Sequence, residues 1–125
     1  MGYKEPGNTT AQHRERRRNI NAQEISKKIV GILEDKKGED IQVFDVKGKS
    51  TLTDVIIVVS GNSGPHLKAL AGAVQRAMKD IGDSGGRIAG DSESAWIVLD
   101  LYDVIVHVFL PEAREYYDIE ALWRK

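Results

Sequence analysis

The sequence predicts an α/β fold, a mixed β-sheet flanked by helices, with elements in the order α-β-β-α-β-β-β-α. Three stretches support this prediction. Residues 55–59 are five consecutive β-branched residues, which is typical of a central strand with apolar side chains on both faces. Residues 64–81 place apolar side chains at helical spacing, and residues 95–110 hold two more apolar runs. A sheet with such a central strand needs other elements packed against both of its faces.

The first helix is predicted over residues 21–37. Asn21 can cap it, and Glu24 follows three residues later, as in a variant of the capping box. Isoleucine and leucine side chains at helical spacing form one apolar stripe, which is most simply core. Gly38 is expected to end the helix in a left-handed conformation.

Two strands are predicted to follow this helix. Residues 41–46 alternate imperfectly between apolar and polar side chains, and residues 54–60 contain the β-branched run. Between them, residues 47–50 read KGKS, which favours a turn.

The second helix carries the clearest amphipathic pattern in the chain. Its cap is Ser63 or Asn62, Pro65 lies in its first turn, and Gly82 ends it. The apolar side chains of its stripe are Leu67, Leu70, Ala71, Val74, Met78 and Ile81. Residues 87–89 are a weak candidate for the next strand.

The C-terminal third predicts two strands and a helix. Residues 95–101 and 104–110 are rich in valine and isoleucine and are split by a short polar break, which favours strands joined by a tight turn. Pro111 cannot donate to a sheet and suits the first turn of a helix. A last short helix is expected to be capped by Asp118.

The composition is that of a globular domain, with 41% hydrophobic and 30% charged residues. With no cysteine, the chain can form neither a disulfide nor a zinc–thiolate site, and it has no cysteine nucleophile. The first twenty residues hold no apolar segment, so we expect no signal peptide, and the longest apolar run is far too short to span a membrane. We therefore expect a cytoplasmic protein in which residues 21–125 form a single domain.

Charge is spread unevenly along the chain. Residues 1–18 carry a net charge of +3, so the remaining residues carry −4 of the total of −1. Residues 1–20 are polar and aperiodic, which predicts a disordered basic tail. Its arginines are either a solvated feature of the tail or a weak, non-specific contact to ribosomal RNA phosphates. They are Arg14, Arg16, Arg17 and Arg18.

Five blocks in a fixed order resemble the ribosomal silencing factor family, also called Iojap-like. They are DVKGKS at residues 45–50, LTD at 52–54, SGNS at 60–63, HLKAL at 66–70, and the C-terminal series WIVLD, DVIVHV, PEAREYY and LW within 96–123. The resemblance covers roughly residues 21–123. Tyr102 stands where the family usually has a small residue, and Ala89 where an acidic residue is common.

The resemblance implies a translational repressor rather than an enzyme, with no catalytic residue, metal or cofactor. It implies binding to the large ribosomal subunit through its ribosomal protein fourteen, which would block joining of the small subunit. It also implies a homodimer when the protein is free, and a sheet similar to that of the nucleotidyltransferase superfamily. The acidic body favours docking on a ribosomal protein over docking on bare RNA.

The predicted partner-binding surface lies on the last two strands, their turn and the C-terminal aromatic residues. A few aromatic anchors inside a charged rim is a common design for protein interfaces, although each aromatic could equally be core. We expect Tyr117 and Leu122 to point inward. The surface residues are Trp96, Asp100, Tyr102, Asp103, His107, Tyr116 and Trp123.

Two of these surface residues have an alternative interpretation. Asp103 is either a turn former or, with Asp100, one of a hydrogen-bonding pair at the exposed end of the sheet. His107 is either a half-buried strand residue with a hydrogen-bond partner or a part of the binding surface.

Nucleotidyl transfer is the enzymatic alternative. That chemistry needs a small-residue turn to hold phosphates, and residues 60–63 offer one loosely. It also needs a pair of carboxylates on a following strand to hold metal ions, but residues 64–79 contain no Asp or Glu. The histidines, His13, His66 and His107, show no metal-ligand spacing.

Overall fold

The computed structural model describes residues 21–83, 85–91 and 93–124. The predicted basic tail, with its four arginines and His13, lies outside the described residues. No helix in the described ranges is both long enough and apolar enough to cross a membrane.

Helix α1 spans Ala22–Asp35 and begins as the sequence predicts. The Asn21 side chain accepts a hydrogen bond from the Glu24 N–H at 2.9 Å, and the Glu24 carboxylate accepts one from the Asn21 N–H at 3.2 Å. The capping box is therefore confirmed. The helix ends two residues before the predicted end.

The prediction that Gly38 supplies the left-handed stop is wrong. Lys37 is the residue with positive φ, at 69°. Gly38 is instead a site of close packing, where an added Cβ would lie 2.8 Å from Val59 Cγ2 and 3.0 Å from the Leu33 carbonyl oxygen. The lack of a side chain lets the chain leave α1 directly against the sheet.

Five strands follow the predicted order. They are β1 Glu39–Asp45, β2 Val55–Ser60, β3 Arg87–Asp91, β4 Trp96–Asp100 and β5 Val104–Phe109. All five join one sheet in the order β1-β2-β5-β4-β3, in which β2 and β5 run parallel and every other pair is antiparallel. The predicted mixed sheet, with β2 in its interior, is confirmed.

The remaining helices lie close to their predicted positions. Helix α2 spans Gly64–Asp80, and Ser63 rather than Asn62 is its cap, since its hydroxyl accepts from the His66 N–H at 3.2 Å. Helix α3 spans Pro111–Tyr117 and starts at the predicted proline.

A 3₁₀ helix, Ile119–Leu122, follows α3 directly. Asp118 precedes it but does not cap it as predicted, because its side chain makes no capping hydrogen bond. Asp118 adopts a left-handed conformation with φ of 46° and forms an ion pair with Arg124 at 3.4 Å. Its role is to redirect the backbone between the two helices.

The two faces of β2 are covered by different elements. Val55, Ile57 and Val59 are buried in the main core with the apolar stripes of α1 and α2. Ile56 and Val58 point to the opposite face, where they form a second, smaller buried cluster with Val46 and Phe109. The C-terminal segment, not a long helix, covers part of this second face.

The packing at Gly38 generates a stability prediction. We expect Gly38→Ala to lower the free energy of unfolding by about 1–3 kcal/mol, because the new methyl group overpacks the contact between α1 and β2. Urea denaturation measures the change. Gly31→Ala is the matched control, since an added Cβ there meets nothing within 4 Å and lies inside a helix. We expect the control to be neutral or to stabilise by about 0.5–1 kcal/mol. Equal behaviour of the two variants would contradict this account of Gly38.

Candidate functional site

The second face of the sheet carries an open apolar groove of about 350 Å³. Its floor comes from β2, β4 and β5, and its walls come from the 50–53 loop and the C-terminal segment. The lining residues are Ser50, Leu52, Thr53, Ile56, Trp96, Val98, Ile105, His107, Ile119, Leu122 and Trp123. Three residues of the predicted surface, Trp96, His107 and Trp123, therefore come together in one place.

Trp96 lies at the centre of an aromatic cluster at the edge of this groove. It pairs across the sheet with Phe109, and the two rings stack with centroids 4.9 Å apart. The Tyr117 ring lies 4.7 Å away, and the Trp96 Nε1–H donates to His107 Nδ1 at 3.1 Å. The indole is thus half-buried and fixed on several sides.

His107 combines both roles that the sequence leaves open. It is a half-buried strand residue with a hydrogen-bond partner, and it also lines the groove. Burial lowers the pKa of the His107 imidazole from 6.5 to about 4, because a charged ring is poorly solvated there. At neutral pH the ring is therefore uncharged.

Arg114 anchors the C-terminal segment to the sheet. Its guanidinium forms two hydrogen bonds with the Glu120 carboxylate, at 2.9 and 3.0 Å, and donates to Ser60 Oγ at 2.8 Å. All three residues are buried. The Arg114 hydrogen bond holds the pKa of the Glu120 carboxyl below its usual value. This contact positions Ile119 and Trp123 against the second buried cluster.

One interpretation of the sequence expects Asp103 at an exposed end of the sheet. The structure contradicts it, because Asp103 is buried. Only 1% of its surface is exposed. Its carbonyl oxygen accepts hydrogen bonds from the Asp54 N–H at 3.0 Å and the Val55 N–H at 3.1 Å. Asp103 therefore ties the turn between β4 and β5 to the start of β2, which agrees with its interpretation as a turn former.

Asp100 and Tyr102 are half-buried residues of the same turn and do not line the groove. Asp100 accepts from the Tyr102 N–H at 2.8 Å and forms an ion pair with Arg87 at 3.5 Å. Tyr102 has a φ of 75°, and the Arg87 guanidinium lies 5.7 Å from its ring centroid. Glycine would adopt a φ of this sign with less strain than tyrosine does.

The prediction that Tyr117 and Leu122 point inward is wrong. Their exposed fractions are 49% and 69%, whereas Ile119 and Trp123 take the inward positions after the backbone turns at Asp118. Tyr116 is 81% exposed and makes an edge-to-face contact with Tyr117 at 5.0 Å.

Leu52 and Leu122 line the groove but are not among the residues of the predicted partner-binding surface. Leu52 is 78% exposed, and both leucines lie at the rim. An isolated leucine in the polar stretch from residue 47 to 54 was the available signal. Contiguous exposed apolar side chains of this kind mark interaction sites.

The turn at residues 60–63 is occupied by contacts within the protein. The Gly61 N–H donates to the Phe109 carbonyl at 2.9 Å, and the Asn62 N–H donates to His66 Nδ1 at 3.0 Å. A Cβ on Gly61 would lie 2.8 Å from Leu67 Cδ2, so this glycine serves close packing. Across the part of the chain that the structure describes, no three His, Cys, Asp or Glu residues form a group that could hold a metal ion.

The sheet order and the groove define a class of small mixed α/β domain, with two long helices on one sheet face and an open apolar site on the other. The family model described as "Ribosomal silencing factor during starvation" matches residues 19–125. The chain belongs to the ribosomal silencing factor family.

Relatives and a solved structure agree with this membership. A ribosomal silencing factor of Chromobacterium violaceum is 45% identical over 101 residues, which cover 81% of this chain and 83% of that protein. A crystal structure of a protein from the same species, also 45% identical, matches with a TM-score of 0.73 over 83% of this chain and 87% of that one. A mouse protein named mitochondrial assembly of ribosomal large subunit protein 1 is 31% identical over 98 residues, which cover 76% of this chain and 43% of that protein.

The lowered pKa of His107 makes stability depend on pH. Between pH 6.5 and about 4 the unfolded chain binds a proton that the folded protein does not. The free energy of unfolding should therefore fall with decreasing pH in this window, by at most about 1.4 kcal/mol per pH unit from this residue. Urea denaturation of wild type and His107→Asn at several pH values isolates the effect. The same slope in both proteins would contradict it.

The buried ion pair generates a third prediction. We expect Glu120→Gln to lower the free energy of unfolding by about 2–3 kcal/mol, because Arg114 loses a charged hydrogen-bond acceptor. Asp118→Asn is the control, since it removes one charge from an exposed pair with Arg124 and should cost less than about 1 kcal/mol. Chemical denaturation at neutral pH measures both. A Glu120 variant as stable as the control would show that the pair does not hold the segment.

Proposed function

We propose that this protein is a translational repressor that binds the large ribosomal subunit and blocks joining of the small subunit. The observation that carries the proposal is the open apolar groove, found in a chain that belongs to a family of ribosomal silencing factors. The name of the mouse relative supports the large subunit as the target. The contact on that subunit is its ribosomal protein fourteen.

The groove has the composition of an interface centre. Trp96 and Trp123 are half-buried and offer large aromatic surfaces. Leu52 and Leu122 offer apolar side chains that are exposed to solvent in the free protein. Anchors of this kind contribute most of the affinity in protein interfaces. Asp100, Tyr102 and Tyr116 would contact the partner at the periphery, whereas buried Asp103 would act only by supporting the turn.

This protein would repress translation by steric exclusion, without a catalytic step. A rigid body of 13.9 kDa bound at the subunit interface excludes the small subunit by volume alone. A specific contact of ordinary size would bury about 1,200–2,000 Å² in total. Residues 21–125 would act as one domain in the cytoplasm, and the tail arginines would add at most weak contacts to ribosomal RNA.

The free protein is proposed to form a homodimer through the same surface. Exposed leucines beside half-buried aromatic rings make a patch that a second copy could cover. Such a dimer would compete with ribosome binding, so that large subunits would shift the protein towards the monomer. Sedimentation velocity with and without an excess of large subunits measures this competition.

The binding surface is tested by two leucine substitutions at the rim. We expect Leu52→Ser with Leu122→Ser to weaken binding to purified large subunits tenfold or more, because each lost apolar contact is worth about 1.5–3 kcal/mol when fully buried. Both side chains are exposed in the free protein, so the fold should tolerate the change. Cosedimentation through a sucrose cushion measures the affinity.

Ile88→Ser is the matched control, since Ile88 is an exposed apolar residue on β3 outside the groove. It should bind as wild type does. If the double leucine variant also binds like wild type, the groove is not the contact. If separated subunits reassociate fully in saturating wild-type protein, the repression itself is refuted.

A further inference from the structure

One ring nitrogen of His107 has no hydrogen-bond partner among the described residues. Nδ1 is occupied by the Trp96 indole at 3.1 Å, and no contact of Nε2 accompanies it within the described ranges. His107 is also the one titratable side chain among the described residues that line the groove. Half-buried His107 thus brings a second ring nitrogen, not used in a contact with the described residues, to the lining of an open groove.

The Trp96 contact determines which ring nitrogen carries the proton. An indole N–H can only donate, so His107 Nδ1 must accept with a bare lone pair. Burial lowers the pKa of the ring to about 4, so it is neutral at physiological pH. In a neutral imidazole with an unprotonated Nδ1, the proton lies on Nε2. Nε2 is thus held as a donor.

The neighbouring hydroxyl groups are used within their own loop. Ser50 Oγ accepts from the Leu52 N–H at 3.0 Å, and Thr53 Oγ1 donates to the Val55 carbonyl at 3.2 Å. None of the lining residues carries a charge at neutral pH. A carboxylate seated in this groove would lose its hydration without gaining a cation, which is costly. A neutral acceptor avoids that cost.

We propose that His107 selects a partner segment that places a neutral acceptor, a backbone carbonyl oxygen, against Nε2 while an adjacent apolar side chain fills the groove. This inference rests on the proposed function, since the partner is a protein of the large ribosomal subunit. His107 is then a specificity-determining residue, and Trp96 is the positioning residue that fixes its tautomer. A segment that offers only a donor at this point leaves two N–H groups facing each other and binds poorly.

The tautomer is tested first, on the free wild-type protein. Nitrogen-15 spectra of the histidine rings at neutral pH should show His107 protonated at Nε2 and bare at Nδ1. His66 is an internal comparison, because its Nδ1 accepts from the Asn62 N–H at 3.0 Å. A proton on Nδ1 of His107 would overturn the inference without any binding measurement.

Two amide variants test the donor in binding to purified large subunits. His107→Asn keeps an acceptor near the Nδ1 position but has no donor at the Nε2 position, whereas His107→Gln places an amide N–H₂ near Nε2. We expect the asparagine variant to bind about three- to tenfold more weakly than wild type, as for one lost hydrogen bond. The glutamine variant should recover most of that loss. Thermal unfolding of each variant reports whether it remains folded.

The outcomes separate this inference from the proposed function. If wild type fails to bind large subunits, the proposed function is wrong. If wild type binds and the asparagine variant binds equally well, only the role of His107 is refuted. Equal weakening by both variants would show a purely structural role for the ring and would also refute the inference.

Discussion

The contact of Arg114 with Glu120 and Ser60 is the constraint on which the second face of the sheet depends. The short elements after β5 place only partly buried apolar side chains, Ala113, Ile119 and Trp123, against the second cluster, so a polar contact adds to their attachment. A buried guanidinium with a carboxylate on one side and a strand hydroxyl on the other supplies that attachment. Its geometry is demanding, because a buried charge is tolerated only when its hydrogen bonds are satisfied. The contact therefore restricts the position of the C-terminal segment, and with it Ile119, Leu122 and Trp123, which line the groove.

The groove exists because different elements cover the two faces of β2, and they cover one of the faces only in part. The apolar stripes of the two long helices bury the residues of β2, β4 and β5 that point to one face. The other face is covered only by a seven-residue helix and one 3₁₀ turn, which leave the area between Trp96 and Leu52 open. Exposed apolar area is unfavourable in water, so a fold that retains it gains by binding another surface. An open apolar groove is consistent with membership of a family named for silencing ribosomes, because such a role requires a surface that binds a partner.

Much of the fold was predictable, because it follows from local patterns. The β-branched run at residues 55–59 favours an interior strand, and the capping box at Asn21 depends on residues three apart. The groove was predicted only in part. The sequence assigns Trp96, His107 and Trp123 to one surface, since aromatic residues and a histidine near a sheet rim are visible in sequence, and all three do line the groove. Leu52 was not assigned to that surface, because nothing local shows that its loop folds over the same face.

The sequence by itself determined the order of elements, the interior position of β2, the cap of the first helix, the proline that starts the last one, and the family. These depend on spacing, on the fixed φ of proline and on side-chain branching, all of which act over a few residues. Only the tertiary structure decided that Lys37 rather than Gly38 turns the chain, that Asp103 is buried and that Tyr117 and Leu122 face water. Each of these depends on what another part of the chain places beside the residue. That information is not contained in any local pattern.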